Sequence, residues 1–115
     1  MVTIRTIKGK DLKGKKLAKV IARDNTGCNK FKYKIGLNTD IRTLNINDQF
    51  GSGLYFVEAK DAKVYKAHGT NLAFIEVDDD EKIVEIREVD EDNIEHISYR
   101  AHQITITKIV NNFKA

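Results

Sequence analysis

The sequence predicts a single α+β domain: antiparallel, strand-rich sheets with one clear short helix at about residues 59–68. Three observations carry that prediction. Alternating polar and apolar residues recur along the chain, most cleanly at residues 30–36 and again after residue 70. One segment spaces its apolar residues by three instead of two. The 115 residues suffice for one core and not for two, and no linker-like stretch, internal repeat or low-complexity tract divides them.

The elements follow in order. "VTIRTI" is a short β-branched run and reads as a strand, and "KGKDLKGKK" after it, with two glycines and repeated lysines, reads as an exposed loop. "LAKVIAR" fits a helix through Leu17, Val20 and Ile21, and equally a strand with Val20 between two alanines; both stay open. "DNTGCNK" supplies turn residues, which favours a hairpin whose second arm is "KFKYKIG". That arm sets Phe31, Tyr33 and Ile35 on one side and Lys30, Lys32 and Lys34 on the other.

Residues 37–53 hold too many Asn, Asp and Gly for a regular element and read as a long connection of the kind that often carries function. "LYFV" is then a buried strand, with Leu54 and Phe56 facing one way and Tyr55 and Val57 the other. In "EAKDAKVYKAHG" the residues Ala59, Ala62 and Tyr65 share a helical stripe, with Asp61 near the start. His68 and Gly69 end it, the glycine as a left-handed cap. "NLAFIEV", "KIVEIREV" and "HQITITKIV" complete the strands, separated by turns at "DDDE" and "DEDNIEHISYR".

Composition narrows the function classes. No apolar run approaches the roughly 18 residues of a membrane span, so no membrane role is expected. The start, "MVTIRTIKGK", lacks the apolar stretch of a secretory signal and Cys28 has no second cysteine to pair with, which together point to an intracellular setting. Charge is divided along the chain: residues 1–34 hold 11 Lys and Arg against 2 Asp, and residues 35–115 hold 9 against 15 acidic residues. Such a division suits a polyanion-binding arm, or two halves that attract each other within one fold.

Several chemistries lack support. Cys28, His68, His96 and His102 show no metal-ligand spacing, and "VDDDE" has neither the alternation nor the glycine of a calcium loop, so no metal is expected. Cys28 has no adjacent histidine to activate it. Ser52 in "GSG" precedes a strand, unlike a nucleophile elbow, and glycines that enter a strand do not form a phosphate cradle at a helix start. Nucleic-acid binding rests on the basic N-terminal segment, above all Lys13, Lys15, Lys16 and Lys19. Against it, no aromatic residue is interleaved with those lysines before Phe31 and Tyr33, and the acidic half would repel the same ligand.

Two resemblances add expectations. "FKYKIGLNTD", "GSGLYFVEAKDAKVYKAHGTNLAFIEV" and "YRAHQITITKI", in that order, resemble a small Gly-Leu-Tyr-Phe / Arg-Ala domain of uncharacterised proteins from large DNA viruses. There it stands alone or beside ankyrin, F-box or pentapeptide segments. This divides the single domain 1–115 into a basic N-terminal segment, 1–29, and a viral-type core, 30–110, and implies an accessory protein in the host cytoplasm or nucleus. More distantly, the Gly-x-Gly-x-Tyr-Phe strand running into an Ala-x-x-Tyr helix is similar to the middle motif of ADP-ribosyltransferases. That likeness implies an NAD cofactor, with Tyr55 stacking on nicotinamide and Tyr65 as the helix tyrosine. Lys32, Tyr33 and Lys34 stand where that family has a ribose-holding histidine or arginine, and Glu76, Glu85 and Glu95 lie in no recognisable motif, so a degenerate, non-catalytic relative is expected.

The resulting expectation is a non-enzymatic binding or accessory protein with a protein partner and a ligand surface at Gly53, Tyr55, Tyr65, His68 and Arg100. The alternatives are an NAD-dependent mono-ADP-ribosyltransferase using Tyr55 and Glu76, and nucleic-acid binding through the N-terminal lysines. A purely architectural reading competes at the same residues: Gly51 and Gly53 permit positive φ, Tyr55 and Tyr65 pack, and Arg100 pairs with the acidic 88–95 loop. The oligomeric state does not follow from the sequence.

Overall fold

Period-two alternation governs the architecture. The computed structural model describes residues 2–26, 31–40, 44 and 52–111, with the backbone alone at 66–68. Along the chain run β1 (Val2–Lys8), the 3-10 turn η1 (Gly9–Leu12), β2 (Leu17–Ile21), β3 (Gly36–Thr39), β4 (Leu54–Glu58) and the 3-10 helix η2 (Ala59–His68). Then come β5 (Asn71–Glu76), β6 (Lys82–Val89), β7 (Glu95–Ala101) and β8 (Gln103–Val110). All eight strands form one antiparallel sheet in the order β1-β6-β7-β4-β2-β5-β8-β3.

One face of that sheet makes the main core. Ile7, Ile83, Ala101 and Leu54 align across β1, β6, β7 and β4, and they join Leu17 and Ile21 of β2, Ile75 of β5 and Ile104 and Ile106 of β8 in a single cluster. A flat sheet of eight strands would be roughly 34 Å wide and would leave such a face in water. Here these residues are 9% exposed or less, and among the described residues no helix covers them except Leu12 of η1. The sheet therefore coils over its own apolar face.

The opposite face is covered locally. Ala18, Val20 and Leu72 bury Ala62 of η2, flanked by Ala59, Tyr65, Phe74 and Val110. A 3-10 helix turns once every three residues, so Ala59, Ala62 and Tyr65 stack in one line down its contact side. Steps of three also line one face of an α-helix, so the spacing predicts a helix and the backbone decides its 3-10 type. Gly69 does not end it as a left-handed cap: its φ of 166° is extended backbone. Its Cβ would sit 2.0 Å from the Ile21 carbonyl oxygen, so close approach to β2 excludes a side chain.

The structure settles β2 as a strand and corrects three readings. Across residues 31–35 of the expected hairpin arm 30–36 there is no strand; a single bridge joins Thr26 to Lys32, and Ile35 is exposed while Tyr33 is buried. The Asn38 side chain accepts from the Lys34 amide and donates to the Lys34 and Gly36 carbonyls, folding the chain back before alternation can continue. The first three residues of the expected connection 37–53 belong to β3, paired with β8. Within the expected turn at 90–100, β7 begins at Glu95: Asp90 accepts from the Asp92 and Ile94 amides and Asn93 takes a φ of 62°, so five residues complete the reversal. The basic segment is no separate arm, since β1 and β2 are integral to the sheet.

Candidate binding groove

Of the residues singled out in the sequence, Gly53, Tyr55 and Arg100 lie together where β4 pairs with β7, with Tyr55 opposite Arg100. Their geometry is that of a strut. Arg100 is fully buried and its Nη1 donates to the Ser52 carbonyl at 2.9 Å. The Gly53 amide donates to the Asp40 carboxylate at 2.6 Å, and the Asp40 amide donates to the His102 carbonyl. Gly53 has a φ of 100°, and a Cβ there would lie 2.9 Å from Leu44 Cδ1 and 3.2 Å from Arg100 Cβ. These contacts fix how the chain enters β4. Tyr65 lies apart on η2, half-buried, and burial first, then Asp61 and Glu88, raises its phenol above the ordinary range. The His68 side chain, Gly51 and Cys28 lie outside the described residues.

Tyr55 and Glu76 are not brought together. Ala18 pairs with Val57 and Val20 with Leu72, so two strand spacings and four residues separate the pair, about 16 Å between Cα atoms. They do not converge on one reacting atom.

The N-terminal lysines divide between two faces. Lys19 alternates inward with Leu17 and Ile21, and its Nζ lies 5.3 Å from the Tyr33 ring centroid. Lys15 and Lys16 instead border an open groove of about 590 Å3 formed where β2, β5 and β8 run side by side; Lys13 is exposed in the preceding loop. Leu17 pairs with Ile75 and Ala18 with Phe74, so Lys16 falls level with Glu76 just before β2 begins, and its side chain reaches back to Phe74, with its Nζ 5.8 Å from the ring centroid. Phe74 pairs with Lys108 on the other side, and the register slips between Phe74 and Ile75, leaving Thr107 between paired positions with its hydroxyl toward the Phe74 carbonyl. Bulges of this kind re-aim side chains.

The groove thus has an aromatic floor and a rim of three ammonium groups, with Glu76 at one end. Lys15 lies 3.7 Å from Glu58, whereas among the described residues Lys16 and Lys108 meet no carboxylate. Phe74, Thr107 and Lys108 escaped the sequence reading because they join the lysines only through strand pairing across 60 to 90 residues. A signal existed: Phe74 and Lys108 sit within alternating runs, and antiparallel order would have placed them.

A second charged cluster lies on the inner face beyond Tyr99. Arg5 Nε and Arg87 Nε each donate to Glu85 Oε1, at 2.6 and 2.7 Å, and Arg87 Nη1 reaches Glu95 at 3.0 Å. Burial alone would raise the Glu85 carboxyl; the two guanidinium groups outweigh it and hold the group below the usual carboxylate range. Tyr99, stacked on Phe56 at 5.4 Å, has its phenol pushed up to about 12, first by burial and then by the charges of Glu58 and Glu85. The basic and acidic parts of the chain meet again where the Gly9 and Lys10 amides donate to the Glu81 and Asp79 carbonyls. Attraction between halves is realised within one fold.

Among the described residues no group of three or more His, Cys, Asp or Glu is placed to hold a metal ion, and no helix is long and apolar enough to cross a membrane. No protein-family model, curated protein or solved structure matches the chain.

Proposed function

We propose that the chain is a small non-enzymatic binding protein that holds an anionic macromolecule, a single-stranded nucleic acid, in the groove between β2, β5 and β8. One observation carries the reading: Lys15, Lys16, Lys108 and Phe74 line one groove, with Lys16 Nζ 5.8 Å from the Phe74 ring centroid, and Lys16 and Lys108 form no ion pair among the described residues. An aromatic face beside ammonium groups is what a backbone-tracking site needs, since stacking contributes about 1–3 kcal/mol per base and tolerates any base. The resemblance to a domain of large DNA viruses supports an accessory role inside an infected cell.

Anisotropy of a labelled oligothymidylate, titrated at several salt concentrations, tests it. Three phosphate contacts give a slope of log K against log salt of roughly −2. Lys16→Gln with Lys108→Gln flattens that slope, and Phe74→Leu, which keeps the groove filled, weakens binding without changing it. Binding that is absent at low salt, or indifferent to both lysines, overturns the proposal.

A further inference from the structure

The two edges of the sheet are finished differently. At β3 the strand is four residues long and Asn38 folds its side chain onto the neighbouring backbone, so little is left for another strand to join. At β1 seven residues run in unbroken register with β6, without a bulge, and the chain contains no proline. Arg5, the charge at the centre of β1, is turned to Glu85 instead of guarding the edge.

Backbone parity shows what β1 presents. The Gly9 amide donates to the Glu81 carbonyl, which makes that pair hydrogen-bonded, and therefore Ile7, Arg5 and Thr3 bond to β6. Val2, Ile4, Thr6 and Lys8 then point their amide and carbonyl groups away from the sheet. The Lys8 amide is taken by Asp11 Oδ2 at 2.9 Å. Three residues, Val2, Ile4 and Thr6, are left with outward backbone groups that nothing among the described residues pairs.

We infer that this edge joins β1 of a second copy of the chain, antiparallel across a two-fold axis with Ile4 opposite Ile4. That register follows by elimination. It pairs Val2 with Thr6 and uses all three open residues on both copies. The register two residues further on would need the Lys8 amide already given to Asp11 and would set Arg5 opposite Arg5, a like-charge pair; the register two residues back pairs fewer open groups. In the inferred one Arg5 faces Thr3, and Val2 and Ile4 extend the apolar strip that Ile86 begins on β6. A strand pair this short makes a small interface, so the dimer is transient and concentration-dependent.

Sedimentation at increasing concentration reads the association directly, with melting temperature followed in parallel. Thr3→Glu, which sets a carboxylate opposite Arg5 of the second copy, tightens the dimer by roughly tenfold over its two symmetric pairs, and Thr3→Arg loosens it by a similar factor. Ile4→Pro abolishes it: the Ile4 amide faces outward, so its loss leaves the β1–β6 hydrogen bonds intact. Should Ile4→Pro unfold β1, the opposed pair at Thr3 still decides. A chain that stays monomeric at millimolar concentration, or a dimer that ignores the sign of charge at position 3, overturns the inference.

Discussion

On β1, β6 and β7 the guanidinium groups of Arg5 and Arg87 lie within 2.7 Å of the buried Glu85 carboxylate, whereas at the groove Lys16 faces an aromatic ring and Lys108 borders it without a carboxylate within reach among the described residues. Both regions draw cations onto the same sheet. The difference lies in where the acids are. Glu85 stands on β6 with Arg87 two residues along the same strand and Arg5 directly opposite on β1, and the planar fork of a guanidinium suits a carboxylate held in fixed geometry. Around the groove, Glu58 is drawn to Lys15, and Lys16 and Lys108, on flexible stems, form no ion pair among the described residues although Glu76 lines the same groove. Charge consumed in holding strands together is separated from charge available to a ligand.

The largest effect should come from breaking the consumed cluster. Glu85→Ala leaves two guanidinium groups facing each other beside an emptied carboxylate site, and urea unfolding should show a loss of about 2–3 kcal/mol. Lys16→Gln and Lys108→Gln should each stay within about 0.5 kcal/mol of the parent. Equal losses at the two sites would erase the distinction.

Titration sharpens the same contrast at both ends of the pH scale. The Tyr99 phenol is raised in the folded state, so its contribution is complete below about pH 10 and is lost as pH climbs toward about 12. That loss is at most about 2–3 kcal/mol and should vanish in Tyr99→Phe when melting is followed against pH. Glu85 is held low, so its contribution is complete above the ordinary glutamate value of about 4.3 and drains away as pH falls below it. Glu85→Gln should flatten that acid limb. A melting profile with no acid limb in the parent would show that the two arginines add nothing.

Smaller effects belong to the groove. Removing one phosphate contact lowers single-strand affinity about fivefold near 0.1 M salt, the change expected of Lys16→Gln or Lys108→Gln in the anisotropy titration. Lys15→Gln should cost less, about twofold, because Glu58 already shares that ammonium group. Arg5→Gln should leave binding unchanged; a fivefold loss there would mean that the ion-pair cluster also serves the ligand.

How far these regions could be read from the sequence depended on how local their causes are. The "LYFV" strand between β7 and β2, its two faces and its passage into a helix follow from neighbouring residues, and all of them hold. The helix was legible in the spacing of Ala59, Ala62 and Tyr65, but its 3-10 type was not, because steps of three also line one face of an α-helix. What failed was decided by single side chains acting on backbone: Asn38 stopped the alternation of residues 30–36, and Asp90 with Asn93 shortened a turn enough to admit β7. Lys15 and Lys16 were visible as cations, but Phe74 and Lys108 enter the groove through the β2–β5 and β5–β8 registers. A periodicity fixes faces and leaves strand order open.

The most direct test is amide and aromatic chemical-shift mapping as a short single-stranded oligonucleotide is added. The expected result is that perturbations gather at residues 14–17, at Phe74 and its ring, and at Thr107 and Lys108, with Tyr55 and Arg100 still. Shifts centred on Gly53, Tyr55 and Arg100, or spread evenly over the exposed lysines, would contradict the assignment of this groove as the binding site.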